Sequence, residues 1–260
     1  MVEAAKLLSP VGRRKAGEFL AEGPNNVQAA LATGRALELF ASEAASAEHG
    51  ELIDSAQRAG VPTRLVDERA ARKLTDAVAP VGLAARCPLL DRGLAEVLAG
   101  EDPERLVVVL VEPRDPGNLG TVLRAAHAFG ASAFLVLGDG VDPHNPKAAR
   151  SSAGSLFAVP LARERDVAAG VAALRTAGLR LFATTADGEL PLGRAGSELS
   201  GPCAWLFGNE AHGLPEPVAR AADHRVAVPM RPAAGFAPPE SLNLAVAAGI
   251  CLYETARLRS

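Results

Sequence analysis

Apolar residues recur with two different periods along this chain, and the change of period marks its elements. Leu106 to Val111 reads LVVVLV, an unbroken apolar run of the kind found in strands covered on both faces. Beyond it, Leu119, Val122, Leu123, Ala126 and Phe129 fall on one helical face. Pro113, Pro116 and Gly117 separate the two patterns. The spacing therefore predicts strand, tight turn and helix, with Asn118 at the N-cap and Gly130 as the C-terminal stop. That arrangement puts polar groups at the carboxyl end of a strand, where open α/β sheets bind ligands. The runs AFLVLG, LRLFATT, CAWLFG and HRVAVPM repeat the strand signal, with helical stretches between them. Such alternation predicts a parallel sheet with both faces covered. The last helix, predicted from Ser241 to about Leu258, is apolar on more than one side, so it lies in a core or a dimer interface.

The first hundred residues carry shorter elements. EFLAEG, ALELFAS, TRLV and VGLAAR read as strands. PNNVQAALATG, ELIDSAQRAG and DERAARKLTDA read as helices, the last capped by Asp67. This predicts a small α/β domain over 1–95, a helical linker to about 103, and a second domain over 104–260.

With 260 residues and 48% apolar content, a real core is available, although only 4% of residues are aromatic. The net charge is −3, so there is no bulk polycation, and any nucleic-acid partner must be met by local patches. There are 23 arginines and 4 lysines, and arginine is the better fork for phosphate. Cys87, Cys203 and Cys251 are widely spaced, and the histidines share no metal-ligand spacing, so neither disulfide nor zinc site is expected. No signal peptide and no membrane-length apolar run is visible, and a cytoplasmic protein is expected.

Three stretches carry chemistry together. The first is DPGNLG followed by Arg124. The second is LFGNEAHGLP, Leu206 to Pro215. The third is VAVPM with ESLNLAVAAGICLYE, ending at Glu254. A dinucleotide-binding GxGxxG is missing after the first strand of this part. In order and content the three stretches resemble the SpoU (TrmH-like) branch of the SPOUT RNA 2′-O-ribose methyltransferases. NPKAARSSAGSLF, Asn145 to Phe157, is similar to that family's intervening segment. The N-terminal part, through GEFLAEG, resembles more weakly the family's ribosomal-protein-like RNA-binding domain.

The resemblance implies an α/β fold with a parallel-sheet SPOUT domain and a deep trefoil knot, which composition would not suggest because knots are so rare. It also implies S-adenosylmethionine as methyl donor, a homodimer through the C-terminal domain, and an RNA substrate, ribosomal RNA before tRNA. By the same resemblance Arg124, Asn118, Glu210, Ser241 and Asn243 are catalytic. Thr184, Leu206, Gly208, Val228, Met230 and Leu242 line the adenosine pocket. Lys147 and Arg150 contact phosphate.

The residues also have plainer readings. Asn118 and Ser241 fit helix N-caps, and Glu210 could hold a backbone amide or an arginine. Val228, Met230 and Leu242 fit a core. Arg13, Arg14 and Lys15 form a basic run that fits RNA contact or a solvated face equally well. Arg124 could be a surface cation; as a catalytic group it is better suited to hold phosphate and a developing alkoxide than to act as a base, because guanidinium stays charged. One departure from the family pattern stands out: Met230 and Ser241 are separated by the insertion RPAAGFAPPE, which bears on the cofactor pocket. A non-catalytic RNA-binding or ribosome-assembly protein on the same scaffold is the rival function.

Overall fold

The computed structural model describes residues 2–232, 234, 235, 237 and 239–259. The chain forms two units, residues 1–90 with 142–158, and 91–141 with 159–260.

In the first unit, β1 (Glu18–Glu22), β2 (Glu38–Ser42), β3 (Thr63–Val66) and β4 (Leu83–Pro88) form a sheet in the order β1-β4-β2-β3. The β1/β4 and β4/β2 pairs are antiparallel and β2/β3 is parallel. Phe19, Leu20, Leu39, Phe40, Leu83 and Ala85 are buried in it. The stretch from Asn145, which sequence places in the second domain, is packed here. Asn26 explains why: its side chain is buried, donates to the carbonyls of Glu22 and Ala149 (2.8 and 3.1 Å), and accepts from the Gly154 amide (2.9 Å). The first unit ends at Leu90, and residues 142–158 pack with it.

Arg13 belongs to the same seam. It was read as a possible RNA contact, but it is buried and its Nε donates to Asp142 Oδ2 at 2.8 Å. Its Nη1 donates to the carbonyls of Leu7 and Leu8. His144 Nε2 accepts from the Leu90 amide at 3.0 Å, and its Nδ1 lies 3.3 Å from Asp142. Burial alone would raise the Asp142 pKa, but His144 and the Arg13 guanidinium hold it far below the usual carboxylate range. Arg14 and Lys15, the rest of the basic run, are exposed.

The second unit is built on seven parallel strands: β5 (Leu106–Val111), β6 (Ala133–Leu137), β7 (Leu161–Glu164), β8 (Arg180–Thr184), β9 (Leu190–Pro191), β10 (Cys203–Phe207) and β11 (His224–Ala227). Their order is β7-β6-β5-β10-β8-β11-β9. Every residue of β5 and β10 is buried, as an unbroken apolar run in a doubly covered sheet requires. β7 and β9 lacked a sequence signal because one is a short, half-exposed edge strand and the other has two residues. From β5 the chain runs outward through β6 to β7 and then returns to the other side of β10. The crevice beyond β5 and β10 is thus the switch point at which such sheets hold ligands. Among the described residues, no helix is long and apolar enough to cross a membrane.

Candidate active site

The turn after β5 begins with strain. Glu112 has φ +50°, a left-handed conformation that non-glycine residues seldom adopt. Gly138 and Gly140 make room for it: a Cβ at Gly138 would lie 2.6 Å from Glu112 Cγ, and one at Gly140 would lie 2.6 Å from Pro113 Cδ. The helix that follows spans Pro116–Ala128, with Pro116 in its first turn. Its N-cap is Asp115, whose carboxylate accepts from the Asn118 amide at 2.8 Å. Asn118 is therefore not the cap, and its side chain is available for other partners. The Asp-Pro pair at the start of the helix is a legible capping signal that the reading of Asn118 passed over.

Those partners come from the other two motifs. Asn118 Nδ2 donates to Glu210 Oε1 at 3.0 Å. Asn118 Oδ1 accepts from Asn243 Nδ2 at 3.1 Å. Asn243 Oδ1 accepts from the Ala245 and Val246 amides at 2.9 and 3.3 Å, capping the helix Leu244–Arg259. Every orientation in this chain is determined. An ionised carboxylate can only accept, so Asn118 must turn its NH₂ toward Glu210, and its oxygen is left for Asn243. The cap of the last helix is thus Asn243 and not Ser241, which is exposed on the cavity wall.

Glu210 also accepts from the amides of Arg114 and Asp115, at 3.1 and 3.2 Å. Burial raises its pKa, but the hydrogen bonds from Asn118 and from these amides prevail and leave it lowered. A carboxylate with both oxygens engaged and a depressed pKa is a poor proton acceptor. It ties the loop after β10 to the turn after β5.

That loop is a tight turn. Asn209 and Gly213 exchange both backbone hydrogen bonds, at 3.1 and 3.0 Å, and Asn209 Oδ1 accepts from the Ala211 and His212 amides. A Cβ on Gly208 would lie 1.9 Å from the Gly213 carbonyl carbon. Gly208 is therefore required for closure of the turn itself. Gly213, at φ +68°, supplies the left-handed residue.

These groups surround an open cavity of about 1180 Å³ at the carboxyl ends of the strands. Of the residues expected at a cofactor, Thr184, Gly208, Val228, Met230 and Leu242 line it, as do Asn118, Glu210, Ser241 and Asn243. Leu206 does not line it. It is fully buried in β10 and packs in the sheet core. Sequence reasoning missed Thr185, Phe207, Asp187 and Arg225, which also line the cavity. The Thr185 hydroxyl is buried without a hydrogen-bond partner among the described residues. Arg225 is paired with Glu189 (2.9 Å) and Asp187 (3.3 Å). Ala233, Phe236 and Pro238 of the insertion lie outside the described residues.

Arg124 is not brought to this cavity. It is exposed on the Pro116–Ala128 helix and makes no hydrogen bond or ion pair among the described residues. Lys147 is exposed, whereas Arg150 pairs with Glu22 and Asp76 at 2.8 and 2.6 Å and is engaged within the fold. No cluster of three or more His, Cys, Asp or Glu among the described residues could hold a metal ion.

Residues 105–253 match the SpoU rRNA Methylase family. The chain belongs to that family. Residues 20–92 match the family of RNA 2′-O ribose methyltransferase substrate-binding domains. An uncharacterized tRNA/rRNA methyltransferase of Synechocystis is 33% identical over 248 residues, 95% of this chain and 86% of its own. The 23S rRNA (guanosine(2553)-2′-O)-methyltransferase RlmP of Bacillus subtilis is 32% identical over 250 residues, 95% and 92% of the two chains. The AdoMet-bound crystal structure of an rRNA methyltransferase from Sinorhizobium meliloti superposes with a TM-score of 0.83 at 29% identity, covering 98% and 93% of the chains.

Proposed function

We propose that this protein transfers the methyl group of S-adenosylmethionine to a ribose 2′-hydroxyl of ribosomal RNA. The observation that carries this reading is the hydrogen-bonded chain Asn243–Asn118–Glu210, which draws all three family motifs to one cavity at the switch point. The names of the relatives support ribosomal RNA over tRNA.

The cavity suits the donor. Val228, Met230, Leu242 and Phe207 offer apolar wall for an adenine ring, the turn 208–214 offers backbone groups, and the orphaned Thr185 hydroxyl can be satisfied by a polar edge. The donor, when bound, supplies an electrophilic methyl group. The chain's own residues position what meets it. Glu210 acts as a positioning residue that holds Asn118 and the turn after β5. Ser241 and the rim of the cavity face the nucleotide. The hydroxyl proton leaves to solvent or phosphate, because Glu210 is engaged and a guanidinium is no proton acceptor. Arg124 holds a substrate phosphate and the developing alkoxide.

Because Arg124 is outside the cavity of its own chain, that role requires a second protomer. Val246, Ile250 and Tyr253 supply a reason for one: they leave an apolar stripe exposed on the Leu244–Arg259 helix, at i, i+4 and i+7. We place the homodimer interface there. The likeness to SPOUT-type structures supports a trefoil knot in the second unit, and ribosomal RNA as substrate supports a cytoplasmic protein. The test is transfer of labelled methyl from S-adenosylmethionine to a 23S rRNA transcript, followed by mapping of 2′-O-methylation. Binding of the donor without any transfer to RNA would favour the non-catalytic reading.

A further inference from the structure

The first unit carries a loop for which nothing so far accounts. Residues 76–82 read DAVAPVG; Val78 is fully exposed and Val81 is 44% exposed. Two exposed valines in one short loop do not serve the core of this unit. The loop is nevertheless held firmly at its base. Thr75 donates from its hydroxyl to Glu22 Oε2 at 2.6 Å and accepts from the Ala77 amide at 2.9 Å. Arg150 bridges Glu22 (2.8 Å) and Asp76 (2.6 Å). At its far end, Gly82 has φ +75° and its carbonyl accepts from the Ser42 amide. Ala71, Leu74 and Thr75 on one side and Gly82, Leu83 and Ala84 on the other wall the same small hollow, so the two stems of the loop stand side by side.

The stem that enters the loop is basic. Arg69, Arg72 and Lys73 are all exposed, whereas Ala71 and Leu74 of the same turns point into the core. None of the three cations forms a hydrogen bond or ion pair among the described residues. The opposing charges nearby are Glu68 and Asp67, both exposed, with Asp67 turned to the Ala70 amide as helix cap (2.7 Å), and Asp76, which Arg150 already neutralises. An exposed apolar tip on a pinned base, fed by a free basic stem, matches a strand of nucleic acid with an unstacked base: cations meet phosphates and an apolar surface meets the base face. A paired duplex offers no base face to such a tip. An apolar protein surface would leave the cations without a partner, and a second copy of this chain would set like charge against like.

We propose that loop 76–82 is the element of the first unit that receives an unpaired nucleotide of the RNA substrate. Val78 and Val81 contact its base, and Arg72 and Lys73 hold the flanking phosphates. Arg150 and Glu22 are positioning residues that fix the loop. This rests on the reading of the protein as an RNA methyltransferase.

The test uses the full chain and two probes, a 23S rRNA transcript and a fully paired RNA duplex, with donor binding measured by calorimetry in parallel. The double substitution Val78→Ser and Val81→Ser changes no buried side chain. It should weaken binding of the transcript by about 10-fold, the loss expected from roughly 50 Å² of apolar contact, and leave the duplex and donor affinities unchanged. Arg72→Gln with Lys73→Gln should lower the slope of log affinity against log salt by about 1.4, two phosphates at about 0.7 each. Parent-like affinity for the transcript in both double variants overturns the proposal. So does a change of oligomeric state in the valine variant with RNA affinity intact, which would assign the tip to a protein contact. Loss of donor binding in the parent would instead overturn the methyltransferase reading, while the RNA titration still decides the role of the loop.

Discussion

Replacing Glu210 by Gln changes a single atom, and its effect can be worked out from the hydrogen bonds. Oε1 accepts from Asp115 N and Asn118 Nδ2, and Oε2 accepts from Arg114 N. A glutamine oxygen can take the place of Oε1. Its NH₂ then faces the Arg114 amide at about the 3.1 Å separation now occupied by a hydrogen bond, donor against donor. One charge-assisted bond is lost, of the order of 1.5–3 kcal/mol when shielded. Glu210 is exposed, so about 1–2 kcal/mol is the expected local cost. Hydrogen–deuterium exchange at the Arg114 and Asp115 amides reads this directly and needs no substrate. Protection there should fall by about 5–30-fold, the factor that 1–2 kcal/mol represents, with little change in the core strands. The sign with pH follows from the lowered pKa. A depressed carboxylate stabilises above its unfolded value, near 4.3, and that contribution disappears as pH falls through the lower folded value. Parent and variant should therefore differ at neutral pH and converge only as the pH falls through the lowered folded value. Equal protection of these two amides in parent and variant at pH 7 would refute the reading of Glu210 as the tie between the motifs.

Other substitutions test the remaining parts. Gly208→Ala puts a methyl 1.9 Å from the Gly213 backbone, so the turn must open; donor affinity measured by calorimetry should be lost, at a stability cost of roughly 1–3 kcal/mol. Arg124→Lys keeps the charge but loses the fork, and activity should fall by about 10²–10³ with a pH–rate profile parallel to the parent, whereas a steep rise toward the lysine pKa near 10 would show a base. Arg124→Ala should fall further, with donor binding intact in both. Tyr253→Arg should shift sedimentation from dimer to monomer, because it places charge in an apolar stripe. Asp142→Asn leaves Arg13 buried without its anion and should destabilise the protein by about 3 kcal/mol in denaturant melts at neutral pH; the difference should shrink in acid, as the depressed Asp142 carboxylate of the parent protonates.

The periodicity of the chain determined most of its elements. LVVVLV had to be a strand covered on both faces, and the spacing from Leu119 to Phe129 had to be a helix, because only those conformations bury those side chains together. The motif residues were legible for a related reason: small polar groups at strand ends have no purpose in a core. What sequence could not supply was partnership. Asn118 read as a cap although its neighbour Asp115 takes that role, and only the adjacency of β5 and β10 in the sheet brings Glu210 within reach of the side chain left free. Leu206 and Val228 are both apolar and both follow the motif pattern, yet one is sealed inside β10 and the other faces the cavity. The facing of each depends on the sheet and on what covers it. Arg13 looked like part of a solvated basic run because its anion, Asp142, is 129 residues away. Local pattern encodes which face of an element is apolar. Which distant group stands opposite is decided only when the sheet order assembles, since hydrogen bonds and ion pairs act over a few ångströms of space with no regard to separation along the chain.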